Sequence, residues 1–337
     1  MTPQTKKPTK ETVLVIGSNS FSGSSFCDFA LFQKARVLGT SRSAEPDSVF
    51  LPYKWHDHSR FTFYQLDLNK DLSKIMELVN DVKPEYVVNF AAQSMVGESW
   101  ANPGDWFMTN TVSTIKLHDE LRKCSFLKRY VHITTPEVYG TCSGFVKEDF
   151  PFNPSTPYAV SRAAADMSLR TFHATYGFPV VSTRAANVYG PGQQLYRIIP
   201  RTILFILLGR KLQLHGGGVS TRSFIHIHDV SEATWNIMKN GRIGETYHIS
   251  TNEVISIRNL VERICEKLGV SVDKHVEVVG ERLGKDSAYH LDSSTLRNEL
   301  GWQDHYSLEQ GLDECIAWVK GNFDAIRLQS FDYIHKP

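Results

Sequence analysis

The chain has 337 residues, of which 41% are hydrophobic and 22% are charged, a composition typical of globular proteins and not of disordered ones. Lysine and arginine number 37 against 36 aspartate and glutamate, and this net charge of +1 argues against a dedicated nucleic-acid-binding protein. The five cysteines form no CxxC pair, which argues against a disulfide framework or a zinc site, and the most apolar run, 203–208, is too short to span a membrane.

The beginning of the chain, residues 1–11, is polar and rich in lysine, and we expect a flexible tail without a targeting signal. Short β-branched runs then alternate with helical patterns over about 190 residues. The predicted strands are 12–16, 35–40, 61–66, 86–90, 130–133 and 178–183, and the predicted helices are 25–32, 71–80, 105–122 and 158–176. This alternation predicts a doubly wound parallel α/β sheet of the Rossmann type, with residues 12–190 as a dinucleotide-binding domain.

Beyond Pro191 the pattern changes to a helix at 199–208, a glycine-rich turn at 216–218, and then short strands and helices. We predict a smaller, interleaved C-terminal α/β lobe over 191–337 that mainly binds substrate, with some segments that return to the first domain. This lobe is expected to close over the carboxyl ends of the strands, where open α/β sheets bind ligands. Thiols without partners in the sequence are expected to be reduced, which favours the cytoplasm, and no metal site is predicted.

The turn between the first strand and the first helix, residues 17–23, consists mainly of small residues. Such a turn lets backbone N–H groups approach the pyrophosphate of a dinucleotide at a helix N-terminus. The pattern here is G-x-x-S-x-x-G, and Ser20 stands where the familiar pattern G-x-x-G-x-x-G has its middle glycine, so a dinucleotide is expected to fit less closely. The predicted cofactor contacts are Gly17, Asn19, Ser20, Phe21, Ser22 and Gly23, and the alternative is an incidental strand–helix turn.

The end of the second strand reads Gly39-Thr40-Ser41-Arg42-Ser43 and lacks the acidic residue that often binds the ribose 2′-hydroxyl of NAD. Arg42 could instead pair with the 2′-phosphate of NADP(H), which favours NADP over NAD. The alternative is that Arg42 is a solvated loop cation.

A tyrosine and a cation share one face of the predicted helix 158–176. Pro157 favours a helix start at this point, and Arg162 follows Tyr158 by four residues. A positive charge beside the phenol favours tyrosinate, so that Tyr158 could act as a base near neutral pH.

With these segments in place, the chain resembles an extended short-chain dehydrogenase/reductase, specifically a nucleotide-sugar 4,6-dehydratase, from Thr12 to about Trp302. The segments that carry the resemblance are Asp67-Leu68, Asn89-Phe90-Ala91-Ala92-Gln93-Ser94, Thr135-x-Glu137-x-Tyr139-Gly140, Pro157-Tyr158-x-x-Ser161-Arg162, Asn187-x-Tyr189-Gly190-Pro191, Arg222-x-Phe224-Ile225-His226-Ile227-x-Asp229-Val230 and Glu299-Leu300-Gly301-Trp302. Together they are highly specific for the superfamily and less specific for the reaction.

The resemblance implies a reaction in which a tightly bound, recycled NADP or NAD accepts the hydride from C4 of a hexose. Tyr158 would deprotonate the C4 hydroxyl, with Thr135 hydrogen-bonded to the C4 oxygen. Glu137 would remove the C5 proton, water would leave from C6, and the hydride would return to C6. The catalytic set is thus Thr135, Glu137, Tyr158 and Arg162, with further cofactor contacts from Asp67, Leu68, Ala91, Ala92, Gln93, Tyr158 and Arg162.

Two positions depart from the family pattern. The dTDP-glucose dehydratases have a proton-donating Asp where this chain has Pro136, although GDP-mannose dehydratases also lack that Asp, and there the single Glu serves as base and acid. Arg162 stands where the family has Lys, and a guanidinium keeps the charge but cannot relay a proton. Activity is expected to survive, and reduced or lost activity are the alternatives.

The resemblance also implies substrate contacts from Ser94, Asn187, Arg197, Arg222 and Arg282, and a base pocket built from 188–199 and 216–222. Extended relatives pair the helices corresponding to 105–122 and 158–176 into a four-helix bundle. Alanines 163–165 would permit close helix approach, so we predict a homodimer, the alternative being a face packed on its own core. Two other functions stay open, a C4 epimerase or reductase on the same class of substrate and a non-catalytic dinucleotide-binding sensor or partner subunit.

Overall fold

The computed structural model describes residues 11–280 and 290–337. The strands are β1 (Thr12–Ile16), β2 (Arg36–Ser41), β3 (Phe61–Gln65), β4 (Tyr86–Asn89), β5 (Arg129–Ile133), β6 (Phe145–Val146), β7 (Val180–Ala185), β8 (Asn187–Tyr189), β9 (Leu212–His215), β10 (Thr221–Arg222), β11 (Phe224–His226), β12 (Thr246–Ile249), β13 (Ile255–Ser256), β14 (Val276–Val279) and β15 (His290–Leu291). The helices are α1 (Phe21–Phe32), α2 (Leu72–Val82), α3 (Pro103–Phe107), α4 (Thr114–Leu121), α5 (Pro157–Tyr176), α6 (Ile198–Leu207), α7 (Ile227–Asn240), α8 (Ile257–Leu268), α9 (Val272–His275), α10 (Ser294–Leu300), α11 (Leu308–Gly321) and α12 (Phe323–Ile326).

A parallel sheet lies at the centre of the fold. Within the described residues it has seven strands in the order β12-β7-β5-β4-β1-β2-β3, and the order reverses at β1, which pairs with both β2 and β4. This topology confirms the predicted doubly wound Rossmann-type sheet. Strand β12 comes from beyond residue 190, so the second half of the chain also contributes to this sheet, and the division at residue 190 stays a prediction.

Alternate residues of β1 enter different hydrophobic clusters on the two faces of the sheet. Val13 and Val15 pack in the cluster that includes helices α1 and α7, whereas Leu14 and Ile16 pack in the cluster that includes α2, α4 and α5. Burial on both faces explains why the strand sequence is apolar without alternation.

A second part of the structure packs around α6, α8, α11 and β9, in a separate hydrophobic cluster. The predicted apolar helix 199–208 is α6, whose Ile199, Ile203 and Leu204 are fully buried. Among the described residues, no helix is long and apolar enough to cross a membrane.

The predicted helix 105–122 has three parts, since a π-helical segment, Met108–Ser113, joins α3 to α4. Within this segment the Asn110 side chain accepts a hydrogen bond from the Gln93 backbone N–H (2.8 Å) and donates to Ser161 Oγ (3.0 Å). These bonds tie the segment to α5 and to the loop after β4.

The three alanines of α5 do not form one exposed face, contrary to the expectation for the dimer. Ala163 and Ala165 are buried within the chain, and only Ala164 is half-exposed. The physical reason is that consecutive helical residues point in different directions, so an alanine triplet cannot line a single face.

Candidate active site

The turn after β1 is held together by its own small residues. Gly17 has a φ of +85°, and a Cβ at this position would lie 2.6 Å from the Ala91 nitrogen. Ser20 caps helix α1, because its hydroxyl accepts from the Gly23 N–H (3.1 Å) and donates to the Gly17 carbonyl (2.7 Å). The Ser20 hydroxyl is therefore turned into the loop, and the outer surface of the turn is left to its backbone.

Asn19 links this turn to the one that follows β2. Its side-chain amide donates to the carbonyl oxygens of Ser43 (3.0 Å) and Ala44 (3.1 Å), and its backbone N–H donates to Ser41 Oγ (3.0 Å). Its Oδ1 is buried and has no hydrogen-bond partner among the described residues. The hydrogen bonds of Asn19 fix the turn after β1 against the turn after β2.

The other residues predicted to contact the cofactor lie on either side of this turn. Ala91 and Ala92 are half-buried, Leu68 is buried in the core, and the Asp67 carboxylate accepts a hydrogen bond from the Asn69 N–H (2.9 Å).

Arg42 and Gln93 contact residues 336–337, whose sequence gave no signal of a role in the site. Arg42 Nη1 donates to the carbonyl oxygens of Lys336 (2.9 Å) and Pro337 (3.2 Å). Gln93 Nε2 donates to the same Lys336 carbonyl (2.6 Å), so that residues 336–337 span both predicted cofactor contacts.

The predicted catalytic residues come together in one cleft of about 890 Å³ between the sheet and the second part of the chain. Thr135, Glu137, Tyr158 and Arg162 all line it. The other predicted site residues in its wall are Ser20, Phe21, Ser22, Ala92, Ser94, Asn187, Arg197 and Arg222.

Two N-caps position the reactive side chains. Thr135 follows β5 and caps the short turn Pro136–Tyr139, since its hydroxyl accepts from the Glu137 N–H (3.4 Å). Thr156 caps α5 in the same way through the Ala159 N–H (3.1 Å) and so places Tyr158 in the first helical turn. The Tyr158 and Thr135 side chains are hydrogen-bonded to each other.

Tyr158 keeps its proton more tightly than the sequence alone suggests. Burial, and after it the Glu137 carboxylate, raise the pKa of Tyr158 to about 12. Three neighbours act in the opposite direction and lower this pKa, namely Arg162, Thr135 and Arg197. The predicted effect of Arg162 is present, but burial outweighs it, because an ionised phenol loses its hydration inside the protein.

Arg162 is 2% exposed, and its guanidinium donates to the Ile133 carbonyl at the end of β5. Its Nε is buried without a hydrogen-bond partner among the described residues. The acid one turn further along α5, Asp166, pairs with Arg184 (2.8 Å) and His132 (3.4 Å) instead of Arg162. A guanidinium with an unused buried donor can bind a further acceptor in the cleft.

The substrate side of the cleft has a basic wall. Arg222 is 8% exposed and donates to the Thr221 carbonyl (2.7 Å), and Arg197 precedes α6 and lies over the Tyr196 ring (5.5 Å). Asn187 opens β8, and Ser94 is exposed at the wall. Arg282 lies outside the described residues.

The far end of the cleft differs from the predicted base pocket. Residues 188–189, 193–194 and 196–199 line it as expected, but residues 216–221 do not. The wall is formed instead by 211–215, around strand β9, and by Glu277 on the neighbouring β14. The sequence pattern of β9 is that of any short strand, so it gave no signal of a ligand-binding role.

A doubly wound sheet with a small-residue turn after β1, and a buried Tyr-x-x-x-Arg helix below the same cleft, define an extended short-chain dehydrogenase/reductase.

Comparison with known proteins narrows this class. A family model described as GDP-mannose 4,6 dehydratase matches residues 14–315. The dTDP-glucose 4,6-dehydratase of Xanthomonas campestris is 32% identical over 331 residues, which cover 92% of this chain and 93% of that protein. The chain therefore belongs to the GDP-mannose 4,6-dehydratase family, within the nucleotide-sugar 4,6-dehydratases that the sequence predicted.

Solved structures agree with this assignment. The structure of DesIV, a dTDP-glucose 4,6-dehydratase from Streptomyces venezuelae with NAD bound, has 30% identity and a TM-score of 0.87, and the match covers 93% of this chain and 98% of that one. A UDP-glucuronic acid 4-epimerase from Bacillus cereus, in complex with UDP-glucuronic acid and NAD, has 27% identity and a TM-score of 0.82, with 92% and 99% covered.

Proposed function

We propose that the protein converts a nucleoside-diphosphate hexose into the 4-keto-6-deoxy sugar nucleotide by removing one molecule of water. The observation that carries this proposal is that Glu137 and Tyr158 line the same cleft, close enough for the Glu137 carboxylate to raise the pKa of Tyr158. A 4,6-dehydratase needs a base for the C4 hydroxyl and a carboxylate for the neighbouring C5 proton, whereas a 4-epimerase needs only the first.

The chain's own residues divide the proton transfers between them. Tyr158 takes the proton of the C4 hydroxyl, while Thr135 donates a hydrogen bond to the C4 oxygen. Bound NADP or NAD would supply the hydride chemistry, accepting hydride from C4 and returning it to C6. Glu137 removes the C5 proton and delivers it to the hydroxyl that leaves from C6 as water, because Pro136 has no proton to give. Once C6 has been reduced, a solvent-derived proton delivered through Glu137 restores the hydrogen at C5, and Tyr158 releases the C4 hydroxyl proton to solvent.

The residues of the turn fit a dinucleotide. The Ser20 hydroxyl is turned into the loop, and residues 20–22 line the cleft at the start of helix α1. The similar solved structures hold NAD. We favour NADP for this chain because Arg42 follows β2 with no acidic residue beside it, and a guanidinium pairs well with a 2′-phosphate.

The diphosphate of the sugar nucleotide is assigned to Arg197 and Arg222, with Asn187 as an additional donor and Arg282 as a further cation. The nucleobase is assigned to the end of the cleft between 193–199 and β9. Arg222 is largely buried, and a buried guanidinium is well suited to a dianionic ligand because little water competes there.

We also propose a cytoplasmic homodimer. Val160 and Met167 on α5 are 40% and 58% exposed, and Ala164 lies between them at helical spacing. Met108 and Val112 extend the exposed apolar surface on the neighbouring helix. Pairing these helices with a second copy would bury that surface in a four-helix bundle.

A panel of UDP-, GDP-, CDP- and dTDP-hexoses, incubated with the protein in heavy water, tests the proposed reaction. We expect one member to lose a molecule of water and to gain solvent deuterium at C5, measured by mass spectrometry and NMR. An unchanged mass with inverted C4 would identify an epimerase instead. Bound dinucleotide with no turnover of any sugar would support a non-catalytic sensor.

A further inference from the structure

Residues 331–337, here called the strap, cross from the second part of the chain to the edge of the sheet. We propose that the strap closes over the adenosine half of the cofactor site and retains a bound dinucleotide, an inference that rests on the cofactor site of the proposed function. The sequence of the strap contains no recognisable motif.

The strap begins on the second part of the chain, against helix α6. The Phe331 ring packs edge-on against Phe205, with 6.2 Å between the ring centroids, and the Arg210 guanidinium lies over it at 5.2 Å. Asp332 forms an ion pair with Arg201 (3.1 Å). These contacts anchor the beginning of the strap on the substrate side of the cleft.

The other end of the strap lies on the sheet side. The Tyr333 hydroxyl donates to Gln93 Oε1 (3.3 Å). The His335 ring stacks on the fully buried Trp106, with 5.1 Å between the centroids and 14° between the planes, and pairs with Asp105 (2.7 Å). The strap therefore connects helix α6 to the loop after β4 and to helix α3.

The strap contacts only a part of the predicted dinucleotide site. Its hydrogen bonds to the sheet side are 2.6–3.3 Å long and go to Arg42, Ser43, Gln93 and Asp105. Within the described residues, none of its hydrogen bonds reaches the turn 17–23 or Asp67, which are also predicted cofactor contacts. The strap therefore shares Arg42 and Gln93 with the predicted dinucleotide site and makes no hydrogen bond to the turn or to Asp67, so that a ligand held by those groups can lie beneath it.

The charges on the strap indicate the kind of ligand it covers. Lys336 Nζ lies 3.1 Å from Ser43 Oγ, and the Arg42 guanidinium contacts the Lys336 backbone. Two cations therefore meet where β2 ends, which is where dinucleotide-binding folds hold the adenosine ribose. This pair of charges complements a phosphate-bearing ligand such as NADP.

The strap can open without unfolding the rest of the molecule. Asp332, Ile334, Lys336 and Pro337 are exposed, and Phe331, Tyr333 and His335 are only half-buried. Segments with few buried apolar contacts open locally at a small fraction of the free energy of global unfolding. Opening would admit or release the dinucleotide, and closing would hold it through repeated turnovers.

The test measures the release of NADP+ from the full-length protein and from variants, by chasing with excess unlabelled cofactor. Deletion of residues 330–337 is expected to increase the release rate about tenfold, which corresponds to about 1.4 kcal/mol of lost contacts. His335→Ala, which removes the ring stacked on Trp106, is expected to increase it by a smaller factor. Ile334→Ser is the matched control, because Ile334 is 65% exposed, and its release rate is expected to stay unchanged.

Hydrogen exchange gives a second readout that does not depend on any sugar. The backbone amides of residues 331–336 are expected to exchange more slowly when NADP+ is bound to the wild-type protein. Unchanged release from the deletion variant, or unchanged exchange in the strap, would overturn the proposal. Faster association with unchanged release would also overturn it, because it would show a plug that competes with the cofactor.

Sugar turnover tests the dehydratase activity, and the rate of cofactor release tests the strap. A protein that binds NADP+ behind the strap but turns over no sugar would contradict the dehydratase assignment alone. A working dehydratase whose cofactor leaves equally fast with and without residues 330–337 would contradict the strap alone.

Discussion

The phenol of Tyr158 lies between a carboxylate that opposes its ionisation and cations that favour it. Its pKa of about 12 results mainly from burial, with Glu137 acting in the same direction and Arg162 in the opposite one. The pH at which Tyr158 can serve as a base therefore depends on Arg162, which replaces the lysine of relatives but keeps the positive charge.

Arg162→Met is expected to raise the pKa of Tyr158 further, because it removes the first of the groups that lower it. The rising limb of kcat against pH should then move to higher pH, and the rate near neutral pH should fall. Arg162→Lys keeps the charge and serves as the control, with a rising limb near that of the wild type. A profile for Arg162→Met that coincides with the wild type would show that this cation does not influence the base.

The Thr135, Glu137 and Tyr158 set could be predicted from the sequence because each residue stands in a local motif. The pairing of Asp166 could not be predicted, since Asp166 lies on helix α5 and its partners His132 and Arg184 lie on strands β5 and β7. The sequence likewise gave no signal for the contact of Gln93 with Lys336, which are separated by 243 positions.

At the scale of elements, α5 is fixed to the sheet by a buried polar network. The Asp166 carboxylate accepts hydrogen bonds from Arg184 (2.8 Å) and from Thr134 Oγ1 (2.9 Å), and Asp166 is one turn beyond Arg162. Burial alone would raise the pKa of Asp166, but Arg184 and His132 lower it well below its ordinary value. The carboxylate is therefore ionised and holds the helix that carries Tyr158.

Asp166→Asn is expected to lower the free energy of unfolding by about 3–5 kcal/mol, because it leaves the Arg184 charge buried without its partner. Urea unfolding followed by circular dichroism measures the change. Asp119→Asn is the matched control on the neighbouring α4, since Asp119 pairs with Arg122 at the surface, and little change is expected. Equal stability of the two variants would contradict a structural role for the buried network.

The elements themselves were predictable where local patterns decide them. The start of α1 lies four residues before the predicted one, because Ser20 caps the helix at Phe21. The π-helical segment Met108–Ser113 was not predictable, since the bonds of Asn110 to Gln93 and Ser161 involve distant parts of the chain. Non-local hydrogen bonds of this kind leave no periodicity in the sequence.

For the whole molecule, buried histidines make stability depend on pH. Burial lowers the pKa of His248 from its ordinary value of 6.5 to about 3, and that of His226 to about 4. Below pH 6.5 these histidines bind protons in the unfolded chain but not in the folded chain. The free energy of unfolding therefore falls as the pH decreases towards the lower pKa values.

His248→Gln is expected to flatten this acid limb. The wild-type melting temperature should fall as the pH decreases from about 6.5 to about 4. The melting temperature of the variant should fall less over the same interval, because glutamine at this position binds no proton in the unfolded chain. Thermal unfolding at a series of pH values measures both slopes. Parallel slopes would show that His248 does not contribute to the acid sensitivity.

The proposed dimer has a test at the same scale. Met167→Asp places a charge in the exposed apolar stripe of α5 and is expected to yield a monomer in sedimentation equilibrium, because a buried unpaired charge is costly. Phe32→Asp is the control, since Phe32 is 74% exposed on α1, away from the stripe. A monomeric wild-type protein, or a dimer that survives Met167→Asp, would contradict this interface.

If Tyr158 and Glu137 act on adjacent carbons of one hexose, the C5 proton of the sugar must leave through Glu137. Wild-type protein and Glu137→Gln are compared in heavy water with the best substrate of the panel, and deuterium at C5 of the sugar is measured by NMR after a single turnover. We predict one solvent deuterium at C5 of the wild-type product and none in the Glu137→Gln sample. Deuterium at C5 formed by Glu137→Gln at the wild-type rate would show that another group removes the C5 proton.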